Sequence, residues 1–213
     1  MRKRRIFWIV SLMLLLATAL SFMDRQVLSI SIIRIKDDLH ITDTEYGFIN
    51  SGFLISYAVM FTLGGMLIDK YGSRLGLAFS VGFWSLATAL HALSMNAFHF
   101  GLFRFLLGVG EGGCFPGAIK AVIEWVPKQK HAIANGIAIG GSAIGAVVAV
   151  PLCAFTLNYT NWRVLFLISG VLGLIWVLCW LRMTNKYAKE QNQIVNQVSH
   201  SLKMSDFVAL FRN

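Results

Sequence analysis

The sequence predicts an all-α membrane protein of six transmembrane helices, and three observations carry that prediction. Of the 213 residues 56% are hydrophobic and only 14% charged, with a mean hydropathy of +0.65. Several apolar runs approach or exceed the roughly 20 residues that cross a bilayer. The third observation is where the cations fall. On a six-span topology Arg2, Lys3, Arg4, Arg5, Lys70, Arg74, Lys128, Lys130, Arg182, Lys186, Lys189, Lys203 and Arg212 lie on one side, and only Arg34, Lys36 and Arg163 on the other. Such asymmetry is the positive-inside pattern and puts both termini in the cytoplasm. The opposite loop instead holds Asp37, Asp38, Asp43 and Glu45.

The spans run at about Ile6–Ile33, Gly47–Ile68, Gly76–Ser94, Phe98–Lys120, Ala132–Leu157 and Arg163–Leu181. In the first, the chain has no Gly or Pro before Gly47, so a helix continues unbroken through Asp24-Arg25 into Val27, Leu28 and Ile33. At about 1.5 Å per residue it is on the order of 40 Å long, which puts both charges inside the membrane. Arg2 to Arg5, an apolar stretch and Ala17-Thr18-Ala19 also imitate a cleaved secretory signal. The five further spans and the unbroken helix favour a retained first span.

Between spans two and three runs Gly65-Met-Leu-Ile-Asp69-Lys70-Tyr-Gly72-Ser73-Arg74. An acid ends one helix, a glycine permits a tight reversal and a base opens the next segment. Span four carries Arg104-Phe-Leu-Leu-Gly108-Val-Gly110-Glu111-Gly112-Gly113. An ionisable residue at the centre of a membrane helix costs about 2.5–3.5 kcal/mol and therefore usually faces a partner or a water-filled path. Arg104 and Glu111 are two helical turns apart on one face, about 10 Å along the axis. In spans four and five, Gly108 with Gly112, Gly136 with Gly140 and Gly141 with Gly145 are small-xxx-small pairs that let backbones approach. Span five has a lone Pro151 and no Gly-Pro followed by Gly-Gly. Asn158 to Arg163 precedes span six as Asp69 to Arg74 precedes span three, and Arg25 and Arg104 each sit in the first helix of a triplet, an echo of a three-plus-three inverted repeat.

These residues suggest chemistry. A guanidinium takes a carboxylate in a bidentate fork, so Arg25 and Arg104 are the candidate ligands of an organic anion, with Tyr57 a weaker candidate as packing residue or hydroxyl donor. Asp24 and Glu111 are the candidate proton-coupling carboxylates, since burial penalises their charged forms and neighbouring arginines favour them. The bland alternative is two internal ion pairs that only hold helices together. A net charge of +9 raises nucleic acid as a partner, but the one-sided placement of the cations argues against it. Cys114, Cys153 and Cys179 lack metal or redox spacing and read as small packing residues; the five histidines are scattered, and neither a catalytic triad nor a phosphate or dinucleotide loop occurs. Neither enzyme nor cofactor nor metal is expected.

Gly65 to Arg74 resembles the cytoplasmic loop signature of the major facilitator superfamily, Gly-x-x-x-Asp-(Arg/Lys)-x-Gly-(Arg/Lys)-(Arg/Lys), with Ser73 in place of the first of the two final bases. The resemblance implies that Gly65, Asp69, Gly72 and Arg74 form a conformational switch, its charge network weakened at Ser73. Asp24-Arg25-Gln-Val-Leu-Ser, Arg104 to Pro116, Glu124-Trp125-Val-Pro127, Gly140 to Gly145 and Trp162-Arg163 look like the anion:cation symporter family, nearest its hexuronate transporters. Asp43 to Gly47 and Tyr57 to Met60 look like that branch too. Gly113-Cys114-Phe115-Pro116 departs from the usual Gly-Asn-Trp-Pro at a position the resemblance turns toward the cavity.

By that resemblance the fold is the N-terminal six-helix half of a twelve-span carrier: residues 1–181 the bundle, and 182–213 a cytoplasmic linker whose Ser205 to Arg212 leads toward a seventh span. The implied function is proton-coupled symport of an organic anion such as a hexuronate in a bacterial inner membrane. Its partners would be the anion, the proton, the lipid bilayer, and either a separate second six-helix half or another copy of the chain. The alternative is a non-transporting fragment or accessory membrane subunit.

Overall fold

The structure, a computed structural model, describes residues 2–185. Lys186, Lys189, His200, Lys203, Arg212 and the expected linker beyond 185 lie outside the described residues. All regular structure among the described residues is helical: α1 (Arg2–Leu39), α2 (Asp43–Leu90), α3 (Ala97–Glu111), α4 (Cys114–Trp125), α5 (His131–Tyr159) and α6 (Trp162–Asn185), with short 3-10 turns before α3 and α5. Among the described residues five stretches are long and apolar enough to cross a membrane. The six expected spans are recovered because one of these, Asp43–Leu93, is broken inside, while α3 and α4 together make span four.

The break is Gly72, at φ 81° and ψ 158°. That backbone region is essentially closed to residues with a Cβ, so the chain turns between spans two and three where the sequence placed the turn. Gly72→Ala is expected to lower the stability of the bundle by about 1–3 kcal/mol, read as a lower thermal midpoint in detergent; an unchanged midpoint would contradict the strained turn.

As the lack of Gly and Pro predicts, α1 runs unbroken past Asp24 and Arg25. It ends at His40, whose φ of 54° reverses the chain. Thr42 then opens α2 with a capping box: its hydroxyl accepts from the Glu45 N–H at 3.2 Å, and Glu45 Oε2 accepts from the Thr42 N–H at 2.8 Å. Asn96 caps α3 by accepting from the His99 N–H at 2.8 Å. Pro151 lies inside α5 without ending it, as neighbouring helices permit in membrane spans.

Packing follows the small residues. A Cβ on Gly141 would lie 2.2 Å from Leu15 O, and one on Gly145 2.1 Å from Ala19 O, so α5 lies backbone to backbone on α1. On Gly108 and Gly112 it would meet Ser56 and Met60 of span two at 2.1 and 2.7 Å. Gly170 of α6 packs on Ser85 O of span three at 2.7 Å from its would-be Cβ. Spans therefore pair one with five, two with four and three with six. Exchanging the first triplet for the second returns the same pairing, which is what the three-plus-three echo requires. Two expectations are corrected: Gly136 and Gly140 have nothing within 4 Å of a would-be Cβ and join no helix pair among the described residues, and Cys179 is exposed whereas Cys114 and Cys153 are buried.

The outer surface is apolar, with Phe48, Phe79 and Val147 each more than 70% exposed, a distribution suited to hydrocarbon. At the end opposite Gly72, two of the three minority cations are neutralised: Lys36 pairs with Asp43, and Arg163 with Asp38. Arg163 also donates to Ser94 O at 3.2 Å, and the Trp162 indole to Asp38 Oδ2 at 3.1 Å. The third cation, Arg34, donates to Leu157 O near the C-terminus of α5, where a cation complements the helix dipole.

A buried arginine and carboxylate cluster at mid-bundle

Glu111 closes α3 and is wholly enclosed. The Gly112-Gly113 break that follows exists because spans two and three press against it: a Cβ on Gly113 would sit 2.9 Å from Ser80 Oγ. Ser80 also donates to Gly110 O at 2.6 Å, taking up a carbonyl at the break.

Glu111 does not pair with Arg104 on its own helix. It takes Arg25 from α1, whose Nε donates to Glu111 Oε2 at 2.9 Å while Nη2 lies 2.8 Å from the same oxygen. Glu111 Oε1 has no partner among the described residues. The Arg25 guanidinium rests in an aromatic cup, 4.7 Å from the Tyr57 ring centre, 4.9 Å from Phe22 and 5.4 Å from Phe53. Arg104, from the next span pair, caps the same Phe53 ring at 4.5 Å. Phe53 thus serves two guanidiniums, and the ring's negative face offsets part of their repulsion. Arg104 is buried, yet its Nε and Nη1 have no partner among the described residues.

Asp24 is placed separately. It accepts hydrogen bonds from Ser169 of α6 and, at 3.3 Å, from Thr88 of span three. The structure thus replaces the expected second ion pair with a carboxylate held by two hydroxyls. It brings Arg25, Arg104, Tyr57 and Glu111 together, with Asp24 one residue from Arg25 but turned to other helices. Phe53, Thr88 and Ser169 were missed from the sequence. Phe53, Tyr57 and Phe61 form an i, i+4, i+8 ladder with ring centres 5.9 and 6.2 Å apart, a visible signal that reads equally as packing. His91 is buried and stacked on Phe166 at 4.9 Å, its Nδ1 2.8 Å from Ala87 O. Of the two residues that depart from the expected pattern, Cys114 sits in the packed core, whereas Phe115 is partly exposed and meets the edge of Phe22, 6.2 Å between centres.

At the Gly72 turn the switch residues divide between neighbours. Asp69 pairs with Lys120 of α4 at 2.9 Å, and Arg74 donates to Asn185 of α6 while its carbonyl accepts from the Trp180 indole at 2.9 Å. A would-be Cβ on Gly65 sits 3.4 Å from Pro116. The expectation that Ser73 weakens this network is corrected. Ser73 is buried, its N–H donates to Glu124 Oε2 at 3.1 Å, its hydroxyl donates to the same carboxylate, and it accepts from the Trp125 indole at 3.0 Å. Glu124 thereby caps the start of span three from another helix, where an acidic group is favoured.

Six crossing helices with paired charges enclosed at mid-depth define a polytopic membrane protein with an internal polar site. The chain belongs to the Major Facilitator Superfamily, whose sequence profile matches residues 14–212, and this membership points to a non-enzymatic integral membrane protein. It is 34% identical over 184 residues to the hexuronate transporter of Bacillus subtilis, covering 86% of this chain and 43% of the relative. With the galacturonate transporter of Dickeya chrysanthemi it shares 29% identity over 187 residues, covering 88% of this chain and 54% of that one. The chain spans about half the length of these curated relatives. In fold it resembles the crystal structure of a bacterial homologue of the human lysosomal transporter Spinster, inward-facing and unoccupied, with a TM-score of 0.72 and 24% identity over 82% of this chain and 42% of the other.

Proposed function

We propose that the chain is a six-helix unit of a secondary transporter that moves an organic anion of the sugar-acid class together with protons. The observation that carries this reading is the pair of guanidiniums on Phe53, one held by Glu111 and one with two buried N–H groups that have no partner among the described residues. Buried donors without acceptors are costly, and an anionic carboxylate supplies the acceptors that they lack. Arg104 is therefore the first ligand of the substrate carboxylate. Tyr57 flanks the site and offers a hydroxyl to the sugar.

Arg25 is released by a proton. When Glu111 is ionised it holds Arg25; when it is protonated, Arg25 is free to join Arg104 on the anion. Asp24, bound by Ser169 and Thr88, is the second proton carrier and links the first, third and sixth spans. Gly65, Asp69, Gly72 and Arg74 hold one conformation of the cycle. The names of the hexuronate and galacturonate transporters support the substrate class. The unit, residues 1–181, acts with a second six-helix unit in a bacterial inner membrane, with the N-terminus and the segment from 182 onward in the cytoplasm.

Uptake of labelled glucuronate and galacturonate by cells expressing the chain, with and without a protonophore, tests this. Saturable uptake that falls to background with the protonophore and in Arg104→Ala is the expected result. Uptake never above background would favour a non-transporting subunit, and proton-driven uptake unchanged in Glu111→Gln would remove Glu111 from coupling.

A further inference from the structure

Nearer the Gly72 turn than the charged cluster, along the same stripe of span two that carries Phe53 and Tyr57, lies a crevice of about 380 Å³, within the roughly 300–1,000 Å³ of pockets that take small ligands. Leu67 and Tyr71 form one wall, Leu75, Phe79 and Phe83 the other, and Gly113 lies at the floor. Leu67, Tyr71, Leu75 and Phe79 are all exposed, so the crevice opens outward at membrane depth. The Ser80 hydroxyl, which lines the crevice, is already committed to Gly110 O. Besides Tyr71 the lining offers no free side-chain donor, which suits an alkyl chain better than a sugar acid.

The mouth lies at the Gly72 end, and the order of groups along it is informative. Lys70 comes first, its ammonium 5.4 Å from the centre of the Tyr71 ring. Because Lys120 engages Asp69, Lys70 has no acidic partner among the described residues. Tyr71 follows, an amphipathic ring of the kind that sits at the headgroup level. Then come Leu75, Phe79 and Phe83, at i, i+4 and i+8 along span three, about 12 Å of apolar wall. Cation, interfacial ring and hydrocarbon wall repeat the order of phosphate, glycerol and acyl chain in a phospholipid.

We propose that this crevice holds one acyl chain of an anionic phospholipid, with Lys70 binding its phosphate. The lipid would sit against both sides of the Gly72 turn, and its occupancy would bear on how spans two and three move. The site stands apart from the transport reading and needs only that the bundle lies in a membrane.

The test is native mass spectrometry of the purified 213-residue chain in detergent with phosphatidylglycerol or phosphatidylcholine, beside Lys70→Gln and Leu75→Trp. Leu75 is an exposed wall residue, so the indole fills the crevice without entering the core, and the melting temperatures of both variants report folding independently. A retained phosphatidylglycerol adduct is expected, reduced about fivefold in Lys70→Gln, the effect of one cation near a membrane surface, and lost in Leu75→Trp while the bundle still melts cooperatively. Equal retention of the two lipids, or an adduct unchanged in a folded Leu75→Trp, would overturn the site. So would displacement by inorganic phosphate alone, which would mean that no acyl chain is held. Conversion of a dimer to a monomer by Leu75→Trp would instead make the crevice a seam between copies and overturn it as well.

Discussion

Glu111→Ala is expected to destabilise the bundle by about 3–5 kcal/mol, the usual cost of removing one partner from a buried ion pair. The reason lies in what remains. Arg25 would keep its aromatic cup of Phe22, Phe53 and Tyr57 but lose the carboxylate that pairs with it, while Arg104 rests on the same Phe53 ring. Two like charges would then face each other with no anion between them. The Arg25 side chain is 27% exposed, so water relieves part of the penalty and the lower end of the range is expected. Adding Arg25→Leu to Glu111→Ala should restore more than half of the loss, because an apolar side chain in that cup leaves no charge to compensate. Denaturant unfolding in detergent of the wild type, both single variants and the double variant measures the coupling directly. A Glu111→Ala protein as stable as wild type, or a double variant no better than the single, would show that the pair does not hold the three helices together.

What could be read from the sequence and what could not divide along physical lines. Continuity of α1 was legible because it depends only on the absence of Gly and Pro. The Gly72 turn was legible because one backbone conformation demands one residue type. The presence of buried charges was legible because membrane depth makes each of them expensive. Their partners were not legible. Arg104 and Glu111 share a helix face, but two turns is about 10 Å, too far for a direct bond, so the distance between helices decides, and it gives Glu111 to Arg25, 86 residues away. Asp24 similarly turns to Ser169, 145 residues on. Ser73 misled for a related reason. Read within its loop it is a lost charge; in space it is the point at which Glu124, 51 residues later, caps a helix.

Gly145→Val is expected to prevent the bundle from forming, and Gly140→Ala, five positions earlier on the same helix, to be neutral or mildly stabilising. Both residues belong to a small-xxx-small pair, so sequence spacing treats them alike. Their surroundings differ. A Cβ at Gly145 would lie 2.1 Å from Ala19 O and 2.7 Å from Ala19 Cα, and these are backbone atoms that no rotamer change can move. Relief requires α5 to withdraw from α1 along the stretch where Gly141 also touches Leu15 O and where Thr18 donates to Ala138 O. That seam positions α1, and with it Arg25 against Glu111. Overpacking with side-chain relief costs about 1–3 kcal/mol; separating two helix backbones exceeds that and enters the range of more than about 4 kcal/mol reached by few single substitutions. At Gly140 nothing lies within 4 Å, so alanine meets open space and gains up to about 1 kcal/mol of helix propensity. Size-exclusion profiles after heating separate the two outcomes: a collapsed peak for Gly145→Val and a wild-type or later-melting peak for Gly140→Ala. A folded Gly145→Val protein would mean that α1 and α5 are not in backbone contact, and the placement of Arg25 beside Glu111 would fall with it.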